Sequence, residues 1–313
     1  MVWIALGIVY VVWGSTYLGI AIVVQTLPPF LAAGIRFTIA GALIAGWLAL
    51  RDRGALRVDR RQLAGSAIVG VLLLAGGNGL LSMAERSVPS GLAALIIASV
   101  QLWIVLFRIG AGDRVHGDVV AGVLVGLAGV AVLVVPGGVS GEIAPLGLCA
   151  VIGSALAWST GTFLSPRLRM PRNAFASTGY QMLAAGVFLL VVAVPLGDYA
   201  RLDASAVAPA SIGALAYLIA FGSILAFSAY TWLLQHAPVS LVATYAYVNP
   251  VIAVLLGTLV LREPVTPTMI GGAVLILAAV AFIVSRSAAK RASAAPARAR
   301  IAPSASRSPS ARD

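Results

Sequence analysis

Long uncharged apolar stretches, separated by short arginine-rich loops, run through most of this 313-residue chain. The first 35 residues contain no charged side chain at all. A helix needs about 20 apolar residues to cross the hydrocarbon core of a bilayer. With 60% hydrophobic and 10% charged residues, the chain has too few charges to cover a water-soluble protein of this size. The sequence therefore predicts an all-α integral membrane protein.

Ten of these stretches are each suited to one transmembrane helix. The uncharged run 204–261 is too long for one span, and His236 and Pro238 indicate a turn that divides it. Residues 286–313 are rich in Ala, Arg, Ser and Pro without apolar periodicity, which predicts a disordered basic cytoplasmic tail. The predicted spans are 3–24, 31–50, 63–84, 89–109, 117–136, 144–165, 175–196, 210–234, 239–260 and 266–285.

The placement of arginine predicts how these spans are oriented. Most basic residues fall in loops on one side of the ten-helix layout or in the tail, and Arg86, Arg201 and Arg262 fall on the other side. By the positive-inside rule, both termini are cytoplasmic and the protein lies in a plasma (inner) membrane. The net charge of +11 does not indicate nucleic-acid binding, because the basic residues punctuate apolar runs and form no basic soluble domain.

The two halves of the chain resemble each other in sequence, which argues for duplication. Each half holds five predicted helices, so the second half enters the membrane from the opposite side, as in many secondary transporters. We predict a first repeat over 1–140 and a second, inverted repeat over 141–285. Shifts of 145 and 150 residues align Trp13 with Trp158, Gly34 with Gly179, Arg36 with Gln181, Gly41 with Gly186, Ser90 with Ser240 and Asp113 with Glu263.

Four stretches carry a family resemblance: VWGSTYLGI (12–20), TLPPFLAAGIRFTIAG (26–41), NGLLSMAERSVPSGLAAL (78–95) and VNPVIAVLLGTLVLREPVTPTMIGGAVLI (248–276). Over 3–285 the chain resembles the drug/metabolite transporter superfamily, in its ten-helix EamA-type branch. The resemblance implies a carrier, and an exporter by analogy, for a small organic metabolite. This sequence has Gln101 where the family usually has a proline, which removes an expected break in the fourth helix.

Polar and aromatic side chains within the spans are the candidate substrate-binding residues. Aromatic rings and amides suit an amphipathic solute such as an amino acid, because they offer stacking and hydrogen bonds without a fixed charge. Each residue also has a structural interpretation, since tryptophans anchor helices at interfaces and amides join helices. The candidates are Trp13, Arg36, Asn78, Gln101, Trp103, Trp158, Gln181, Tyr245 and Asn249.

Arg36 is the only charged side chain in the interior of a predicted span, because Arg108 and Asp118 lie within one residue of a span end. It can face a cavity and attract an anionic group such as a carboxylate. It can equally have a structural role and brace the helix ends. Gln181 occupies the matching position in the second repeat, so a pair of such braces, one near each membrane face, would also explain these residues. The sequence leaves these two interpretations open.

The acidic residues fall outside the spans or, as with Asp118, at a span end. Membrane-embedded carboxylates commonly relay protons in coupled transporters. Glu85, Asp113, Glu142 and Glu263 all lie at span ends. This distribution argues against a simple carboxylate-based proton antiport and leaves open coupling by an acid at a span end.

Three other classes of function fit less well. An intramembrane enzyme needs a metal cluster or a nucleophile with a base, whereas the two histidines, His116 and His236, lie between spans and indicate neither. A sensor or scaffold would usually carry a soluble output domain, and a channel would not need an inverted repeat. No cofactor or metal is predicted. The expected partners are a small-molecule substrate, the lipid bilayer and a second copy through small residues such as Gly126 and Gly272.

Overall fold

The computed structural model describes residues 1–113, 117–134, 144–237, 239–242 and 244–299, and every regular element in these ranges is a helix. Seven helices are long and apolar enough to cross a membrane, and three shorter apolar helices complete the predicted set of ten. They are α1 Val2–Val23, α2 Pro29–Arg51, α3 Arg60–Ala84, α4 Ser90–Gly110, α5 Gly117–Val134, α6 Pro145–Leu164, α7 Ala174–Ala193, α8 over 209–236, α9 Tyr245–Leu261 and α10 Pro267–Ala299.

Local sequence signals begin several of these helices. A proline occupies the first helical position of α2, α6 and α8, where its missing N–H costs no hydrogen bond. Helix α3 begins with a capping box, in which Asp59 and Gln62 each accept a hydrogen bond from the other's backbone N–H. The side chain of Asn173 caps α7 in the same way at its first turn.

The last helix is longer than the tenth predicted span. Its backbone continues to Ala299, through the first part of the segment for which the sequence predicted disorder. Alanine and arginine are strong helix formers, which favours this continuation. The rest of that segment, 300–313, lies outside the described residues, as do Arg114, His116 and Glu142.

Equivalent helices of the two repeats make equivalent contacts. Helix α1 packs against α9, and its equivalent in the second repeat, α6, packs against α4. In the same way, α1 packs against α8 and α6 packs against α3. Helices α2 and α7 cross each other, and α5 pairs with α10. This exchange of partners is what a two-fold relation between five-helix repeats requires, so the predicted two-repeat architecture is confirmed.

Glycines that align between the repeats lie where α2 crosses α7. A Cβ on Gly186 would lie 2.5 Å from the backbone nitrogen of Thr38, and one on Gly41 would lie 2.9 Å from the backbone nitrogen of Leu183. Real Cβ atoms do not approach backbone this closely, so the crossing requires glycine. The small residues shared by the repeats therefore hold the two halves together at this point.

Helices α5 and α10 also meet through small residues. A Cβ on Gly129 would lie 3.1 Å from the carbonyl oxygen of Gly272, whereas Gly271 has nothing within 4 Å of its added Cβ. The glycines of these helices thus serve packing within the chain. A homodimer stays a prediction.

Both repeats depart from regular α-helix at equivalent places. Helix α3 is π-helical over Val71–Gly79, and α8 is π-helical over Leu218–Leu225. Helix α4 is interrupted at Ala98 and Ser99 between its segments Ser90–Ile97 and Val100–Gly110. The fourth helix is thus still broken although residue 101 is not a proline. The backbone N–H groups of Ser99 and Leu102 donate to carbonyl oxygens three residues earlier, in place of the α-helical bonds to residues four earlier. The second repeat matches it with a separate Val239–Val242 helix before α9.

Candidate functional site

A cavity of about 110 Å³ lies at the centre of the bundle, between the two repeats. This space holds several water molecules or one small organic solute. Both π-helical segments, the interruption of α4 and the first turn of α9 reach its wall, through residues such as Gly77, Gly222, Ala98 and Ala246. Helices α1, α2 and α6 complete the wall, so helices of both repeats enclose the cavity.

Trp13 anchors an aromatic group on one wall. Its indole nitrogen donates to the carbonyl oxygen of Gly222 at 3.2 Å, in the π-helical segment of α8. Its ring packs against Phe227, Tyr230 and Tyr245, with ring centroids 5.1 to 5.3 Å apart. The tryptophan is thus held in one orientation and presents an apolar surface to the cavity.

Arg36 also lines the cavity and is only 5% exposed. Its Nε donates to the Ser223 hydroxyl at 3.0 Å, which joins α2 to α8 of the other repeat. Its guanidinium carbon lies 4.9 Å from the centre of the Phe37 ring. Among the described residues this is its one hydrogen bond, so the terminal nitrogens remain available to a ligand. The arginine bridges the repeats and offers a positive charge at the same time.

Two amide side chains add uncharged hydrogen-bonding capacity. Asn78 in α3 and Gln101 in α4 both line the cavity. Neither side chain forms a hydrogen bond with the part of the chain that the structure describes. An amide supplies both donors and an acceptor, so these two can bind either kind of group on a solute.

Asn249 joins helices as well as lining the cavity. With its amide oriented to satisfy both donors, the nitrogen lies 3.2 Å from the carbonyl oxygens of Tyr10 and Tyr245. The next residue, Pro250, has no N–H, so the carbonyl oxygen of Ala246 is left without its helical partner. Ala246 and Pro250 both line the cavity, so this carbonyl oxygen lies near its wall.

The structure brings seven of the nine predicted site residues to this cavity and leaves two elsewhere. Those that line it are Trp13, Arg36, Asn78, Gln101, Trp158, Tyr245 and Asn249. Trp103 instead donates from its indole nitrogen to Ser99, beside the interruption of α4. Gln181 donates to Ser177 one turn earlier in its own helix.

Several wall residues were not singled out from the sequence. Thr16, Phe37 and Phe227 line the cavity as ordinary residues of apolar helices, with no signal in spacing that distinguishes them. Ser154 does too, and its hydroxyl donates at 2.6 Å to the carbonyl oxygen of Gly77. The serine thereby satisfies a carbonyl group of the π-helical segment of α3.

At one end of the bundle, two carboxylates of the second repeat bind helix N-termini of the first. Glu263 accepts hydrogen bonds from the backbone nitrogens of Ser90 at 2.8 Å and Gly91 at 3.0 Å, at the start of α4. Asp198 accepts from Phe30 and Leu31 at the start of α2. Helix N-termini favour negative charge, so these contacts stabilise the closure of this end of the bundle. We call it the Glu263 end.

The residues described show no cluster of three or more His, Cys, Asp or Glu side chains that could hold a metal ion. The cavity wall instead offers rings, amides, one guanidinium and backbone carbonyls. Groups of these kinds can bind and orient a small solute.

Comparison with known proteins agrees with this arrangement. The model of the EamA-like transporter family matches residues 1–135 and again 145–285, one match to each repeat. The uncharacterized inner membrane transporter YedA of Escherichia coli (strain K12) is 40% identical over 81% of each chain.

More distant relatives cover more of the chain. The transporter YvbV of Bacillus subtilis (strain 168) is 26% identical over 92% of this chain and 93% of its own. A probable amino-acid metabolite efflux pump of Escherichia coli (strain K12) is 26% identical over 86% of this chain and 90% of its own. A crystal structure with 23% identity and a TM-score of 0.61 covers 92% of this chain and shares its fold. The chain belongs to the EamA-like transporter family.

Proposed function

We propose that this protein is a secondary carrier that exports a small amphipathic metabolite with a carboxylate group, an amino acid or a close relative, by alternating access. The observation that carries the proposal is the central cavity, which combines aromatic rings, the amides of Asn78 and Gln101 and the Arg36 guanidinium. The apolar part of such a solute would contact the rings. Its carboxylate would pair with Arg36, and its amino group would donate to Gln101 or to the Ala246 carbonyl.

The orientation that we propose follows from the arginine loops. Both termini face the cytoplasm of a cell with an inner membrane, and the Glu263 end faces the opposite side. The carboxylate contacts that hold this end closed favour a cavity that loads from the cytoplasm. The efflux pump among the relatives supports export and an amino-acid-like solute by analogy alone.

Binding would be measured first, on the purified protein in detergent. Apolar L-amino acids and their carboxamides, which lack the carboxylate, are compared by thermal shift on the wild type, Arg36→Gln and Arg86→Gln. Arg86 is exposed and serves as the matched arginine control. We expect an acid to stabilise the wild type and the control. Because a hydrogen bond to a charged group contributes about 1.5–3 kcal/mol, Arg36→Gln should bind it about 10- to 100-fold more weakly.

Transport would then be measured by counterflow of a radiolabelled hit in proteoliposomes. Faster exchange in the wild type than in empty liposomes supports a carrier. Equal binding of acid and carboxamide in every variant would show that Arg36 braces the helices and does not bind the carboxylate. Binding without exchange would contradict the carrier and favour a sensor.

A further inference from the structure

Glu85 is a buried carboxylate that the transport site does not use. It directly follows α3 at the Glu263 end and is only 8% exposed, whereas the next residue, Arg86, is exposed. Neither of its carboxylate oxygens has a hydrogen-bond partner within the described ranges. A buried, unpaired carboxylate is costly in its charged form, so this environment favours a protonated acid.

The charged groups that face Glu85 do not offset this cost. Tyr17, Arg36 and Glu263 are close enough to interact with it electrostatically. Arg36 favours the anion, but its Nε is engaged by Ser223, and the two residues form no ion pair within 4.0 Å in the described part of the chain. Glu263 repels a second negative charge. The partial negative charge at the C-terminus of α3 opposes the anion as well.

Glu263 also ties this environment to the closed end of the bundle. Its two hydrogen bonds hold the start of α4, and the loop 85–89 that contains Glu85 leads directly into that helix. A movement that breaks those bonds would admit water beside Glu85. Hydration stabilises the carboxylate and lets the proton leave.

We propose that Glu85 is a proton-binding site, occupied while Glu263 holds the start of α4 and emptied when that contact opens. On opening, the O–H bond of the Glu85 carboxylic acid breaks, the proton passes to the entering water, and the carboxylate remains beside Arg36. The inference rests on the proposed transport function in one respect, since it assigns the proton as the ion coupled to the conformational cycle. An acid at the end of a span thereby supplies the carboxylate that the interiors of the predicted spans lack.

Infrared spectroscopy tests the bound proton directly. The carbonyl stretch of protonated carboxylic acids would be measured near neutral pH in wild type, Glu85→Gln and the control Asp203→Asn. Hydrogen bonds from Ser205 to the exposed Asp203 lower the pKa of that carboxyl, so it is ionised near neutral pH. We expect the band in wild type and in the control, and its loss in Glu85→Gln. A wild type without the band overturns the proposal, even if Glu85→Gln fails to fold.

Distance measurement tests the link to the Glu263 contact. Spin labels at Ser87→Cys and Val265→Cys, both exposed positions, report the gap between the two loops, with the single cysteine replaced as Cys149→Ser. The labelled protein in lipid nanodiscs is compared between about pH 5 and about pH 8, a range over which Asp203 changes little. We expect the ratio of long to short distances to rise about tenfold or more with pH.

The same labels in Glu85→Gln should stay at the short distance throughout, and in Asp203→Asn they should behave as in the wild type. An unchanged pH response in Glu85→Gln, or no response in the wild type, overturns the link. Neither experiment uses a transported solute. Failure of amino-acid transport therefore leaves these results standing, and failure here leaves the transport proposal intact.

Discussion

Asp113 and Glu263 occupy aligned positions in the two repeats, yet their carboxylates bind different groups. Glu263 reaches across to the backbone of α4, whereas Asp113 pairs at 2.9 Å with Arg108, five residues earlier in the chain. Asp198 reaches across to α2 at the Glu263 end, and Asp52 accepts a bond from the nearby Ala55 at the other end. Equivalent parts of the repeats thus close one end of the bundle more firmly than the other.

At the centre of the molecule, by contrast, the two repeats make equivalent contacts. Where α2 crosses α7, the aligned glycines make matching close contacts in both directions. Symmetry is kept where backbones touch and is lost where side chains bind at the ends. Under the alternating-access mechanism proposed above, this structure would be one of two states in which the ends exchange roles.

The largest loss of stability is expected for a substitution at the crossing of α2 and α7, where the two repeats make matching backbone contacts. Gly186→Val adds a Cβ that would lie 2.5 Å from the Thr38 backbone, so α2 and α7 must separate. We expect a loss of about 3 kcal/mol in the free energy of unfolding. The control Gly271→Val adds its side chain where nothing lies within 4 Å. Thermal unfolding of both variants in detergent tests this, and equal stability would contradict the close crossing.

Glu263→Gln should have the next largest effect, which is to open the Glu263 end of the bundle and leave the other end unchanged. Because a hydrogen bond to a charged group is worth about 1.5–3 kcal/mol, loss of the charge should shift the closed-to-open ratio by about tenfold or more. Labelling of Val88→Cys, a buried position next to α4, by a membrane-impermeant maleimide reports this opening. The measurement is made in the Cys149→Ser background, and an unchanged rate would show that Glu263 does not hold this end.

Gln181→Ala sharpens the contrast with Arg36. Gln181 bonds only to Ser177 within its own helix among the described residues, whereas Arg36 bonds across the repeats. We expect a loss of about 1 kcal/mol in stability and no change in solute affinity. Thermal shift with and without the best ligand separates the two quantities. A loss of affinity similar to that of Arg36→Gln would place Gln181 in the site.

The smallest effect is expected for Asp113→Asn. Its ion pair with Arg108 is exposed, and exposed pairs contribute about 0.2–1 kcal/mol. Stability and the Val88→Cys labelling rate should both stay close to those of the parent. A large increase in labelling would show that the two ends are coupled through this residue in the closed state.

Much of the fold was predictable because a bilayer allows few solutions. Runs of apolar residues and the side of each arginine were enough to place ten helices, and seven of nine candidate residues line the cavity. The α-helical break at Ala98 and Ser99 was not predictable, because no proline or glycine marks it. The burial of Glu85 was not predictable either, because it depends on how α2 and α6 pack against the end of α3 and on where the loop that carries Glu263 lies.

The matched π-helical segments give the two repeats the same local irregularity. A π-helical turn holds one residue more than the α-helical turn that it replaces, and such turns are rare in proteins. They occur at Val71–Gly79 and Leu218–Leu225, one in each repeat and both at the cavity wall. Each repeat therefore brings the same irregular helical turn to the cavity wall, one from each side.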